Sequence, residues 1–143
     1  MKKNANLRPL VSVIMSVFNE NPEFLIEAIH SILAQTYTNF EFIIIDDGSD
    51  EECKRILHDF SLFDSRIRII TNISNIGLTK SLNKGIEVSQ GKYIARMDSD
   101  DFSLPMRIEL QVQYMEKHND VIVLGTDTCD FSCRKLCSLS RTK

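Results

Sequence analysis

Residues 93–105 read YIARMDSDDFSLP, and the fold turns on how that stretch is taken. An apolar and β-branched run ends in Asp98, Asp100 and Asp101, three carboxylates within four residues. Such crowding is self-repelling unless water solvates it or a cation neutralises it. Alternate residues of a strand face the same side, so Asp98 and Asp100 would direct their carboxylates into one crevice. That pair suits a hard divalent cation, and Mg2+ commonly takes one or two carboxylates together with substrate phosphates. The plainer alternative is a solvated turn in which Asp101 or Ser103 caps the helix after Pro105. Residue types alone leave both open.

Working outward, short apolar runs alternate with amphipathic stretches, the pattern of an open, mainly parallel α/β sheet with helices on both faces. Five strands are expected, over 10–17 (LVSVIMSV), 40–46 (FEFIIID), 67–70 (IRII), 93–98 (YIARMD) and 121–125 (VIVLG). Each is near-continuously apolar, as strands covered on both faces should be. Four helices lie between them. The first, over 22–35, turns Leu25, Ile29, Ile32 and Leu33 to one side, with Asn21 as cap and Pro22 in the first turn. The second begins at Ser49, which forms a capping box with Glu52, and turns Ile56, Leu57 and Phe60 inward. The third places Leu78, Leu82 and Ile86 four apart, and its Gly85, about 1 kcal/mol poorer than Ala in a helix, implies close packing. The fourth follows Pro105 and buries Ile108, Val112 and Met115.

Right-handed crossovers put every strand C-terminus on one edge of such a sheet, the edge where open α/β folds bind ligands. The loops there read SVFNE, DDGS, TNISNIG and DSDD. No GxxxxGK[ST] phosphate loop is present, and no GxGxxG follows the first strand. Phosphates, if bound, would need a cation at the acidic turn in place of a glycine-rich cradle. A phospho-accepting receiver would need an Asp after the third strand and a Lys after the fifth, and IRIITN and VIVLGT supply neither.

A formal charge of −3, with its seventeen Lys and Arg scattered, gives no footprint for nucleic acid. MKKNANLRPLVSVIMSV faintly resembles a signal peptide, but Arg8 and Pro9 interrupt it, and a buried strand is the expectation. No apolar run approaches the ~20 residues of a membrane helix, so any membrane attachment would be peripheral or through a partner. The cytoplasm, or the inner face of its membrane, is the expected location. His30, His58 and His118 are expected on helix surfaces, and Met97 and Met106 as packing residues. Cys53 and the cluster Cys129, Cys133 and Cys137 are expected to be reduced thiols, since no second ligand pair completes a zinc set.

Four blocks, VSVIMSVFNE, QTYTNFEFIIIDDGS, NIGLTKSLNKGI and YIARMDSDDFSLPMRIELQ, occur in that order across residues 10–113. Together they resemble the N-terminal half of family 2 glycosyltransferases of the GT-A fold, a Rossmann-like nucleotide-binding half, closest in kind to bacterial polysaccharide and O-antigen transferases. The resemblance implies an inverting, metal-dependent transfer of a sugar from a nucleoside diphosphate, with UDP- or dTDP-sugars favoured, to a glycan or lipid-linked hydroxyl. It assigns nucleotide-sugar binding to Ser16, Val17, Phe18, Glu20, Asp47, Gly77, Lys80, Asp98, Ser99 and Asp100. Ser16 and Phe18 fall near the base, Phe18 standing where Tyr is commoner, and Glu20 near the nucleoside. Asp47 falls at the carboxylate that accepts from a pyrimidine N–H, Lys80 near the phosphates, and Asp98 and Asp100 at the DxD pair holding Mg2+ or Mn2+.

The domain expected is 10–126, preceded by a tail over 1–9 and followed by an irregular tail over 127–143. After VIVLGT the family pattern gives way to DTCDFSCRKLCSLSRTK, which reads as a random frame or premature stop, and the family's catalytic base lies beyond that point. A sheet short of its later strands leaves an edge and an apolar face uncovered. The second reading is therefore a truncated, inactive nucleotide-binding remnant or interaction module.

Overall fold

The computed structural model describes residues 8–127. Strands β1 (Val11–Val17), β2 (Phe40–Asp46), β3 (Ile67–Thr71) and β4 (Tyr93–Asp98) alternate with helices α1 (Pro22–Leu33), α2 (Glu51–Phe63), α3 (Leu78–Val88) and α4 (Arg107–Lys117). The strands form one parallel sheet in the order β3-β2-β1-β4. Val11 pairs with Phe40 on one side and Tyr93 on the other, so β1 is central and continuously paired.

Strand alternation divides the side chains between two layers. Val11, Val13, Met15 and Val17 join Phe42, Ile44 and Met97 in one core with Leu25, Ile29 and Ile32 of α1, Leu57 of α2, and Ile108 and Val112 of α4. Each of these large side chains, fully buried, is worth about 1.5–3 kcal/mol. The opposite face, with Ile14, Ile43 and Ile45, packs under α3. A Cβ at Gly85 would lie 2.5 Å from Ile14 Cγ2, so the expected close approach at this glycine is present.

Helix starts follow side-chain oxygens. Asn21 accepts from the Glu23 N–H and Pro22 opens α1, as expected. At α2 the cap is Asp50, accepting from the Cys53 N–H, and no Ser49–Glu52 box forms. Ser49 is instead drawn back toward β1, its hydroxyl donating to the Val17 carbonyl. Neither Asp101 nor Ser103 caps α4, which begins after Met106. The buried Gln35 side chain takes that place: its oxygen accepts from the Ile108 N–H while its amide donates to carbonyls of Ser31 and Leu104.

Other expectations fail for physical reasons. Helix α3 buries Ser81 and Gly85, while Leu78 and Ile86 stand half exposed, because only a small-residue face can approach Ile14 so closely. Met97 is buried but Met106 is half exposed. β4 alternates instead of being covered on both faces, with Ile94 and Arg96 outward. Residues 121–125 form no strand, and Ile122 is 89% exposed.

Handedness explains that last failure. The β1–α1–β2 crossover moves toward β3 over the main-core face, and β3–α3–β4 moves the other way over the opposite face, which preserves one hand. Helix α4 returns on the α1 face. A parallel strand placed next beyond β4 would then complete a crossover of the opposite hand, an arrangement rarely tolerated. Among the described residues β4 is therefore an edge strand.

Candidate functional site at the carboxyl edge

Strand order reverses at β1, between β2 and β4, so the crevice of an open sheet falls at the C-terminal ends of β1 and β4. Ser16 and Asp98 are register partners there. Beyond them, side chains tie the carboxyl-edge loops together. Asn19, in a left-handed conformation at φ 49°, donates its N–H to Ser49 Oγ and accepts from the Asp50 N–H through Oδ1. Asn tolerates that conformation better than most residues. Ser99 Oγ donates to Glu20 Oε2 at 2.7 Å, joining the acidic turn to the loop after β1, and Glu20 Oε1 accepts from the Asn21 N–H.

The loop after β3 is held from β2. Asp47, 1% exposed, accepts from Asn72 Nδ2 at 2.7 Å and the Ile76 N–H at 2.9 Å through Oδ1, and from the Gly77 N–H at 2.8 Å through Oδ2. Burial acts to raise its pKa, but these donors outweigh burial and hold the carboxyl below its ordinary range. Asn72 in turn donates to Ser81 Oγ and accepts from Lys84 Nζ. Gly77 adopts φ 91°, open to glycine without strain, and starts α3.

The acidic turn itself is open. β4 ends at Asp98, and the Asp101 N–H donates to the Asp98 carbonyl, closing a turn over 98–101. Asp98 is half exposed and Asp100 and Asp101 are exposed. Burial, then the carboxylates of Asp98 and Asp100, push the Asp101 pKa up, against the pull of Arg107 and Arg96. Two arginines answer the crowding. Arg96 Nη2 lies 2.7 Å from Asp98 Oδ1, and its Nε also donates to that oxygen. Arg107 runs beneath the turn and donates to the Arg96 carbonyl; burial lowers its pKa, and Asp101 and Asp98 oppose that lowering.

The structure brings Ser16, Glu20, Asp98 and Ser99 together, with Asp100 on the same turn. Phe18 stands beside them in sequence at the end of β1, with its ring 49% exposed. Three expectations need correction. Asp47, expected to accept from a pyrimidine N–H, instead has its oxygens on donors of its own chain. Val17 points into the core, and only its carbonyl serves the loops, accepting from the Asp47 N–H and Ser49 Oγ. Strand alternation does not extend to Asp100, since β4 has ended and Ser99 turns inward to Glu20. Lys80 is exposed on the first turn of α3.

Among the described residues no three His, Cys, Asp or Glu side chains converge to cage a metal. The turn nonetheless fits a divalent ion shared with phosphates: its donors are exposed carboxylates, and a guanidinium already stands in for a cation at Asp98. His30, His58 and His118 lie on helix surfaces or ends, as expected. Burial, reinforced by Asp50, pushes the Cys53 thiol up to about 11, so it stays protonated at neutral pH. Cys129, Cys133 and Cys137 lie outside the described residues. No helix among the described residues is long and apolar enough to cross a membrane.

Sequence reading missed Asn19, Asn72, Arg96 and Arg107. Asn in two carboxyl-edge loops was the available signal, while the arginines needed the register to be noticed.

Comparison with known proteins accords with this arrangement. The chain is 42% identical over 118 residues to an uncharacterized glycosyltransferase of Methanocaldococcus jannaschii, covering 82% of this chain and 41% of that protein. It is 37% identical over 115 residues to the glycosyltransferase GlyG of Streptococcus pneumoniae, covering 80% and 38% respectively. The chain thus spans about two fifths of these relatives' length. Among solved structures, Staphylococcus aureus TarS in complex with UDP-GlcNAc superimposes with a TM-score of 0.70 at 20% identity, over 76% of this chain and 32% of that one. A mannosyltransferase of Pyrobaculum calidifontis, in complex with GDP-Man and Mn2+, gives 0.62 at 20% identity, over 68% and 29%. These two likenesses show the fold, which is that of GT-A glycosyltransferases. The model of glycosyl transferase family 2 matches residues 12–141, nearly the whole chain, and the chain belongs to that family.

Proposed function

We propose that this chain carries the donor site of a metal-dependent, inverting glycosyltransferase that moves a sugar from a nucleoside diphosphate to an acceptor hydroxyl. The observation that carries the reading is the joining of the β1 loop to the acidic turn by the Ser99–Glu20 hydrogen bond, where strand order reverses. The half-exposed Phe18 offers a face on which a nucleobase stacks, with Ser16 beside it in the crevice. Glu20 and Ser99 hold the nucleoside end of the site to the acidic turn. Asp47 serves from beneath, setting the Gly77 turn that opens α3 with Lys80 on its surface.

Asp98 and Asp100 are the residues that would hold Mg2+ or Mn2+ against the donor's diphosphate. A divalent ion so held supplies charge neutralisation for the leaving diphosphate. The chain's own part is to fix the carboxylates, orient the base and present the sugar carbon to the acceptor. The acceptor oxygen attacks from the face opposite the leaving group, and a carboxylate outside the set assigned above takes its proton.

A UDP- or dTDP-sugar donor, and a glycan or lipid-linked acceptor in cell-surface polysaccharide synthesis, are the substrates the family resemblance favours. Such work places the protein in the cytoplasm or peripherally at the inner face of the membrane. Calorimetric titration with UDP in the presence of Mn2+ tests the donor site: the chain binds, and Asp100→Ala lowers affinity at least about tenfold. Equal binding by Asp100→Ala would contradict the assignment. Binding without sugar transfer or donor hydrolysis would favour the nucleotide-binding module over the transferase.

A further inference from the structure

The Arg96–Asp98 pair balances charge at the acidic turn but is too open to water to add much stability. Both residues lie on the outward face of the edge strand β4, two apart, opposite Ile14 and Ser16 of β1. Both of the Arg96 donors, Nε at 3.1 Å and Nη2 at 2.7 Å, go to the same oxygen of Asp98, Oδ1. Arg96 is 57% and Asp98 41% exposed, and an ion pair so open to water adds little to stability. Arg107 already runs beneath the turn.

We infer that Arg96 is a positioning residue that exchanges partners when the donor binds. This rests on the donor-site reading above. Its guanidinium balances the charge of Asp98 and holds Oδ1 of the carboxylate in place. A divalent ion ligated by Asp98 would repel the guanidinium held on Oδ1 of the same carboxylate, so ion and Arg96 compete for Asp98. The displaced guanidinium is tethered two residues from the ion's ligand, on the same outward face of β4. Its planar fork matches phosphate oxygens, so it moves from carboxylate to diphosphate. Arg96 thus opposes binding of the ion and favours binding of the nucleotide. A group of merely structural importance would not separate these two effects.

The test is a two-dimensional calorimetric titration of the whole chain with UDP at stepped Mn2+ concentrations, comparing native protein with Arg96→Gln and Arg96→Lys. It yields a Mn2+ constant and the limiting UDP constant at saturating Mn2+. In Arg96→Gln the Mn2+ constant tightens about two- to fivefold, the range for losing an exposed competing pair. The limiting UDP constant weakens about tenfold, as for loss of one charge-assisted fork. Arg96→Lys keeps the charge but not the fork, and falls between on UDP. Circular dichroism shows each variant folded; if Arg96→Gln unfolds, Arg96→Lys decides alone, with weaker UDP binding expected. Both constants unchanged, or both weakened together, overturn the exchange while leaving the donor site standing. Absence of UDP binding by folded native chain overturns the donor-site reading itself, and the exchange with it.

Discussion

Asp47 shows how a residue can be central to a site without touching what the site binds. Its carboxylate, buried on β2's loop, accepts from Asn72, Ile76 and Gly77, and so shapes the loop after β3. Ionisation is what these donors favour, since they hold its pKa below the ordinary 3.8 despite burial. A carboxylate with a depressed folded-state pKa stabilises the fold fully above its unfolded value, and that contribution is lost as pH falls through the folded one. Asp47→Asn, which keeps the shape but not the charge, is expected to cost about 1–3 kcal/mol at pH 7 in urea denaturation. The gap between native protein and variant should shrink at pH 3. A gap of the same size at both pH values would show that the charge of Asp47 is not what holds the loop. The sequence placed Asp47 at the carboxyl edge but did not show that its oxygens are taken by its own chain. Its donors come from residues 25 to 30 positions later, and only the folded chain shows that they meet.

At the scale of elements, the apolar runs of β1 and β2 and the spacing of Leu25, Ile29 and Ile32 were legible because burial on both faces or on one stripe leaves a periodic trace. Helix α3 was legible as a helix but not in its orientation. Leu78, Leu82 and Ile86 are the natural inward face by hydropathy, yet contact distance selected Ser81 and Gly85. Gly85→Ala gains about 1 kcal/mol in helix propensity but forces a methyl onto the branched, strand-held Ile14. Overpacking of that kind costs about 1–3 kcal/mol, so a net loss of up to about 2 kcal/mol is expected from urea denaturation. A stabilised variant would mean that α3 is free to lift from the sheet. Residues 121–125 were misread for a different reason. Their composition is that of a strand, but pairing depends on where α4 crosses, a property of the whole sheet that no local window contains.

The whole molecule is a sheet whose order reverses at β1 and whose four carboxyl-edge loops are cross-linked by Asn19, Asp47, Ser49 and Ser99. Arg96 and Arg107 make the acidic turn tolerable at its edge, and with a donor bound the proposed diphosphate-held cation would replace Arg96 at Asp98. A cavity of about 300 Å3 lies between α2 and β3, lined by residues including Asp46, Lys54, His58 and Thr71. Paramagnetic broadening separates these places directly. In 15N-labelled chain saturated with UDP and Mg2+, replacing a small fraction of the Mg2+ by Mn2+ should erase amide signals of residues 16–20 and 98–101 first, sparing those around Lys54 and Thr71. Broadening centred on the α2–β3 cavity, or none in a folded sample that binds UDP, would contradict the placement of the donor's cation at the junction of β1 and β4.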